Sequence, residues 1–517
     1  MHKPKKLEIL DLETSTSPFT TLPDTQQKRY ILSYLRGLSA TTIIVEQNYF
    51  DRDYLAEFSA FYSVSAQGYS NICQRIHIFS SPDINRDNLE SALKNHDESV
   101  NLFQESYLGF IVIRPLIKSP FGRTVLKGYE HDSGEGERIC EPYRTYECNL
   151  FGLKLSVYGL AWQQQDTGVS ACATVGLWTM FHSSAFDARH AIPTTADITN
   201  SAHLTTSGGY RPFPQKGLRV EQIYEAINQH NLVPMISSPD LRHNNATCFS
   251  PGKFSSTCSS FIRSGYPVAI IGHYKDQPSG HMICAVSFRE NNSDVSNKSI
   301  DFIDCATNIF YIHDDNIGPN VRWRLTPVSS PDITLAALVT EPPAYIERGE
   351  PIDTFTFIPN LIIAAAHEDI RLTFDEFHQE ACTKVNYIYQ LLFLAYQKIE
   401  QPMPKLTFGS RFIKGSDFLK EEVARIFKSA PDLMAQVRLN IAENVSPMSN
   451  HIGIVRIALA EQSTTLIDII YDTTDSDRNT PVLAHIVYDK SLEYILQNFL
   501  SLEDLEKDFG VQIKGCY

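Results

Sequence analysis

Four residues of the types that carry out acyl transfer follow one another in the chain: Gln165, Cys172, His281 and Asp314, an amide, a thiol, an imidazole and a carboxylate. A thiol is a weak nucleophile at neutral pH unless its pKa falls, and a helix amino terminus and a neighbouring imidazolium both favour the thiolate. Cys172 lies at the start of ACATVGLWTMF, whose small apolar residues predict a helix over 171–181 buried on nearly all sides. His281 opens the β-type run HMICAVSF, where it would supply the imidazolium and later protonate a leaving group. Asp314 ends the run NIFYIHD and would accept from the other ring nitrogen, holding the useful tautomer. A tetrahedral intermediate needs donors aimed at its oxyanion, and the Gln165 amide, seven positions before Cys172, would serve with the Cys172 N–H.

Alternatives stand beside three of these. Asp315 and Asp304 also follow strand-type runs after His281; adjacent strand residues point to opposite faces, so one of Asp314 and Asp315 should address the imidazole, and Asp314 is preferred. Gln164 is a weaker alternative to Gln165, and His273 sits at the other end of the hairpin that carries His281. Each residue also has a purely structural reading. Cysteine is among the most buried residue types, and paired acids cap turns such as the one before Gly318-Pro319. A metal site built from His273, His281 and His313-Asp314-Asp315 has no HExxH or paired-ligand spacing behind it, and Gly208-Gly209 lacks the Lys and helix of a phosphate loop. Neither a metal nor an organic cofactor is implied.

Three segments would position these groups. Residues 1–142 alternate β-rich runs (TTIIV, QRIHIF, YLGFIVI) with helix-compatible stretches and read as an α/β region, ending in the Gly-rich, charged loop 128–141. Residues 143–328 hold the four chemical groups, an amphipathic helix over 217–231, and a hairpin of PVAIIG and HMICAVSF with HYKDQPSG as its polar tip. Residues 329–517 start with a Pro- and Ser-containing connection and continue with helices near 374–397 and 418–427 and strands near 451–459, 466–471 and 481–488. The expected class is α+β.

Composition narrows the function classes. With 517 residues, 43% hydrophobic and 20% charged, the chain is an ordinary globular protein with room for several domains. The net charge of −15 opposes general attraction to nucleic acid or an anionic membrane. Ten cysteines with no CxxC fit reduced thiols better than a disulfide scaffold or structural zinc. The start MHKPKKLEILDLETS does not read as a secretory signal, and no apolar run approaches the roughly 18 residues of a membrane span. A cytoplasmic location with neither a nucleic-acid nor a membrane partner is the expectation.

The segments QQDTGVSACATVGLW and GHMICAVSF resemble the oxyanion Gln, the nucleophilic Cys on its buried helix and the His-bearing strand of the papain-like cysteine peptidase superfamily. The Gln-Asp pair and NIFYIHDDNIGP are most similar to bacteriocin-leader-processing peptidases of bacterial exporters. Tyr311 to Asp315 with Gly318-Pro319, and YLGFIVIRP at Tyr107 to Pro115, also resemble bacterial proteins bearing a YVHDD-GP signature. The chain differs from the better-known families at Ala173, where Gly or Trp is usual, and in a Gln165-to-Cys172 spacing one residue longer. The resemblance implies a papain-like core, with the Cys helix packed on an antiparallel sheet bearing His281 and Asp314. It further implies a bacterial thiol protease that hydrolyses peptide or protein substrates through a Cys172, His281, Asp314 triad with Gln165 at the oxyanion. The flanking regions would set access or bind a protein partner. Two other readings are a catalytically inactive papain fold kept as a binding or regulatory module, and a thiol-dependent acyl transferase of transglutaminase type.

Overall fold

β-Branched and aromatic runs pair into three principal sheets in the computed structural model, which describes residues 7–129, 136–166, 171–186, 190–204, 217–243, 246–290, 300–302, 307–330, 333–341, 353–445, 448–460, 464–475 and 482–513. The class is mixed α and β, with mainly antiparallel sheets. The first sheet joins Leu7–Asp11, Thr42–Tyr49, Cys73–Phe79, Tyr107–Ile113 and Phe121–Leu126 in chain order. Every residue of Tyr107–Ile113 is buried, which is why YLGFIVI is apolar throughout and does not alternate.

The second sheet closes on itself. Val268–Tyr274, Gln277–Arg289, Ile309–Asp314, Gly318–Ser330, Ile333–Thr340 and Thr356–His367 pair antiparallel in that order, and Thr356–His367 pairs back with Val268–Tyr274. Closure satisfies backbone groups that an open sheet would leave at its edges. Leu232–Ser237 extends Thr356–His367, and the short Arg138–Ile139 extends Gln277–Arg289.

Two expectations are corrected here. The boundary at 328 falls inside this sheet, because Gly318–Ser330 runs through it and two later strands complete the ring. The hairpin tip is Lys275 and Asp276 rather than eight residues, since Tyr274 pairs with Gln277 beyond a bulge at His273.

The third sheet has the order Ile300–Phe302, Leu406–Lys414, His451–Leu459, Thr465–Asp472, Val482–Val487 and Val511–Ile513, with a parallel pair at each end. Ile300–Phe302, from the expected middle segment, thus pairs with a strand of the last segment. Helix Phe374–Lys398 starts with a capping box between Thr373 and Glu376, and its Phe377 stacks on Phe412 of this sheet. Among the described residues no helix is long and apolar enough to cross a membrane.

Helix Cys172–Phe181 packs on strand Gln277–Arg289, and its residues from Ala173 to Phe181 are all buried. A continuous apolar surface is what a helix covered on every side requires. From the first region, helix Gln26–Gly37 packs on strand Gly318–Ser330. Its Gln27 Nε2 donates to the Asp315 carbonyl at 3.3 Å, and the Tyr30 hydroxyl donates to the Pro319 carbonyl at 2.9 Å. A Cβ at Gly318 would lie 2.2 Å from Tyr30 Cδ1, so only glycine lets this ring close over the turn. Gly318→Ala should therefore cost about 1–3 kcal/mol of stability and lower the thermal unfolding midpoint. An unchanged midpoint would mean that Tyr30 moves aside freely and does not clamp the turn.

Candidate active site

Ala171, in an extended conformation, precedes the helix without a side-chain cap, which leaves the first N–H groups of Cys172–Phe181 for other acceptors. Cys172 is the first helical residue and is half-buried, whereas His281 on the adjacent strand is 7% exposed and Asp314, at the end of its strand, is fully buried. His281 Nε2 lies 3.2 Å from Asp314 Oδ1, and the Cys172 thiol acts on the same imidazole, helping to raise its pKa. Two of the four residues picked from the sequence thus meet directly, and the helix that Cys172 starts packs on the strand of His281.

A buried carboxylate is costly unless its oxygens are hydrogen-bonded. Asp314 is well supplied: the Tyr274 hydroxyl donates to Oδ2 at 2.6 Å and the Asn316 N–H to Oδ1 at 3.0 Å. The Trp162 indole N–H holds the Asp314 backbone carbonyl at 3.2 Å. Tyr274 also stacks on the His281 ring, with centroids 5.3 Å apart, and Phe357 meets that ring edge-on. The imidazole is held in an aromatic slot with one polar wall.

Asp315 enters that wall as well. Its Oδ1 lies 3.4 Å from His281 Nε2, so both neighbouring acids address the imidazole, against the expectation that only one would. The strict alternation of a strand ends here: the register shifts between Ile312 and Asp314, and Asp315 already belongs to the turn that leads to Gly318. Burial, then the Asp314 charge, raise the Asp315 carboxyl pKa, with His281 opposing. For His281, burial alone would disfavour the charged ring. The Asp315 charge, the hydrogen bond to Asp314, the Cys172 thiol and the Asp314 charge outweigh it and hold the imidazole pKa well above the ordinary histidine range. The ligand atoms of His281, Asp314 and Asp315 lie within 4.8 Å of one another, close enough for a cation, but Asp314 already has a donor on each oxygen.

Gln165 reaches this cluster through a residue that sequence reasoning missed. Its Nε2 donates to Asn316 Oδ1 at 2.6 Å, and Asn316 Nδ2 lies 3.4 Å from His281 Nε2. Gln164 points elsewhere: it is buried and its Oε1 accepts from the Phe121 N–H at 3.3 Å, which makes it part of the scaffold. The turn that carries Gln165 is fixed by Arg114, the arginine of YLGFIVIRP. Its guanidinium donates to the Gln164 and Ser119 carbonyls, both at 2.9 Å, and sits 3.2 Å from Glu57 and 3.8 Å from Asp166. Gln165 is therefore bracketed on both sides by contacts to one buried cation.

The remaining candidates lie apart. His273 pairs with Asn360 at 3.1 Å, and His313, fully enclosed, bonds the Leu160 carbonyl and the Asn320 N–H. Burial drives the His313 pKa down to about 3, as expected for a neutral structural imidazole. Asp304, Gly208 and Gly209 fall outside the described residues. Tyr274 was the second residue missed; its position next to the hairpin turn was the available signal, but the long polar tip expected there hid it.

Replacing Arg114 by Met removes the cation shared by two buried carboxylates. The variant should lose about 3–5 kcal/mol of stability in denaturant unfolding, and a loss below about 1 kcal/mol would show that the cluster does not hold the turn. Because the folded His281 pKa is raised, the imidazolium stabilises the fold below the ordinary histidine range, and this contribution fades as pH climbs through the raised value. Imidazole NMR titration should place the His281 midpoint above that range, and Asp315→Asn should lower it by about one pH unit or more. A midpoint untouched by Asp315→Asn would remove Asp315 from the electrostatics of the site. No family model, no curated protein and no solved structure matches this chain.

Proposed function

We propose that the chain is a papain-fold cysteine peptidase, with Cys172 as nucleophile, His281 as general acid and base, Asp314 as the group that orients His281, and Gln165 at the oxyanion. The observation that carries this reading is one buried imidazole that meets the Asp314 carboxylate at 3.2 Å and whose pKa the Cys172 thiol helps to raise. Nε2 is taken up by Asp314, Asp315 and Asn316, so in this scheme Nδ1 serves the thiol.

In this scheme the thiolate attacks the carbonyl carbon of a peptide bond, and the carbonyl π electrons move onto oxygen. The backbone N–H of Cys172, which has no intrahelical acceptor at the first helical position, donates to that oxyanion. Gln165 Nε2 carries two protons and gives one to Asn316, so the other remains for the same oxyanion. The C–N bond breaks as the His281 imidazolium protonates the departing amine, leaving a thioester on Cys172. Neutral His281 then takes a proton from water as its oxygen attacks the thioester; the acid product leaves and the thiol and imidazole are restored. Asp314 fixes the ring throughout by accepting from Nε2.

Competition from other thiols is weak. Burial pushes up the pKa of every other described cysteine, Cys73 to about 12 and Cys258 and Cys284 further, so those sulfurs are protonated at neutral pH. A reducing cytoplasm belongs to the same proposal, because an oxidised Cys172 could not attack. The flanking sheets would act by shaping the turns around the site.

Treatment with a thiol-directed electrophile at about pH 6–7, followed by peptide mapping, tests the pair. Cys172 should be modified first, the preference should survive Cys284→Ala, and it should vanish in His281→Ala. Slow, uniform labelling of several cysteines would sink the proposal. Product mass then separates hydrolysis, which adds water, from transfer to an amine.

A further inference from the structure

Away from Cys172, the end of the closed sheet meets the start of a strand of the third sheet at a cluster of two imidazoles and a carboxylate. We propose that His367, Asp369 and His451 bind a divalent transition-metal ion of the zinc class, which ties these two sheets together. His367 ends strand Thr356–His367, Asp369 lies in the turn that follows, and His451 begins strand His451–Leu459. Their ligand atoms all lie within 4.8 Å of one another.

The separations suit a small tetrahedral ion. Asp369 Oδ2 is 3.4 Å from His367 Nδ1 and 3.7 Å from His451 Nδ1. Zinc bound at about 2.0–2.1 Å by nitrogen and oxygen has tetrahedral ligand-to-ligand edges of about 3.3–3.4 Å, so the two carboxylate-to-imidazole edges are within a few tenths of an ångström of that geometry. The two rings are stacked, 4.2 Å apart and inclined by 30°, so each turns about its Cβ–Cγ bond to bring the ion into its ring plane.

His451 supplies an independent pointer. It is only 5% exposed, and both of its ring nitrogens are buried without a hydrogen-bond partner. Buried polar atoms are nearly always paired, because leaving one unsatisfied is costly. A metal on this ring removes that deficit on one nitrogen. His367 Nδ1 receives a long 3.3 Å bond from the Asp369 N–H, which the ring exchanges for the metal or keeps by presenting Nε2.

The frame is already in place. The Thr473 hydroxyl donates to the His451 carbonyl at 2.6 Å, and the Arg371 and Leu372 N–H groups donate to the Thr473 carbonyl at 2.7 and 3.1 Å, fixing the turn against the strand. The Asp369 side chain is 40% exposed and opens the cluster to solvent, which gives the ion an entry path and its fourth position a water. Two imidazoles with one carboxylate favour zinc, nickel or iron over magnesium or calcium.

The test uses the full-length chain carrying Cys172→Ala and His281→Ala, which removes the thiol and imidazole of the other site. After chelator treatment, zinc chloride titrated in a calorimeter should bind with one equivalent in the parent, and zinc should raise the thermal midpoint. Asp369→Asn, at a half-exposed position that leaves packing intact, should weaken zinc binding tenfold or more and abolish the rise in midpoint; His367→Ala should do the same. Cobalt in place of zinc should give visible d–d bands without a thiolate charge-transfer band. A parent that binds no zinc, an affinity unchanged in Asp369→Asn and His367→Ala, or a cobalt spectrum with thiolate bands would each overturn the proposal. None of these outcomes depends on whether Cys172 is a nucleophile.

Discussion

The 3.2 Å contact between His281 Nε2 and Asp314 Oδ1 is buried, and much of the surrounding architecture follows from keeping it there. A carboxylate removed from water must be paired and hydrogen-bonded or it will protonate. The Tyr274 hydroxyl and the Asn316 N–H meet that demand, the Trp162 indole fixes the Asp314 backbone carbonyl, and Tyr274 and Phe357 pack against the imidazole. The closed ring of strands brings these groups together: Val268–Tyr274 and Thr356–His367 supply the two rings, Gln277–Arg289 the histidine and Ile309–Asp314 the acid. Opening the ring at any of these strands would expose the pair.

The first region, which shows no catalytic constellation of its own, acts on the site through two rigid contacts. Helix Gln26–Gly37 covers the turn after Asp315, and its Tyr30 ring occupies the space that a side chain at position 318 would need. Arg114 holds the backbone on one side of Gln165 and pairs with the carboxylate on the other. The Gly-Pro of NIFYIHDDNIGP and the Arg of YLGFIVIRP, read from the sequence only as parts of a signature, thus have a shared physical role: each lets the first sheet and its helix brace a turn that carries a polar group of the site.

What was legible in the sequence were residues at the ends of strongly patterned elements. Cys172 could be placed because a helix buried on all sides is apolar throughout, Asp314 because it ends its strand, and His281 because the apolar part of a strand that already begins at Gln277 starts there. Asn316 and Tyr274 lie in a turn and at a bulge, where periodicity carries no information. Arg114 could not be read because its partners stand about fifty positions away on either side. Helix Pro251–Arg263 was missed for a different reason: six of its thirteen residues are Ser, Thr or Cys, so it shows no apolar stripe, yet it is buried and a hydroxyl such as Ser255 bonds the Thr307 carbonyl. The Ser250-Pro251 start was its one visible signal. The ring closure by Thr356–His367 depends on long-range pairing, which is why a boundary at 328 looked reasonable.

The central claim is that Cys172 and His281 together hydrolyse amide bonds by way of a thioester. Incubating the full chain with a complex peptide library in heavy-oxygen water, and reading new carboxyl termini by mass spectrometry, tests it most directly. The account predicts new termini carrying one heavy oxygen with the wild-type chain and none with Cys172→Ala or His281→Ala. Cleavage that persists at the wild-type rate in Cys172→Ala would contradict it.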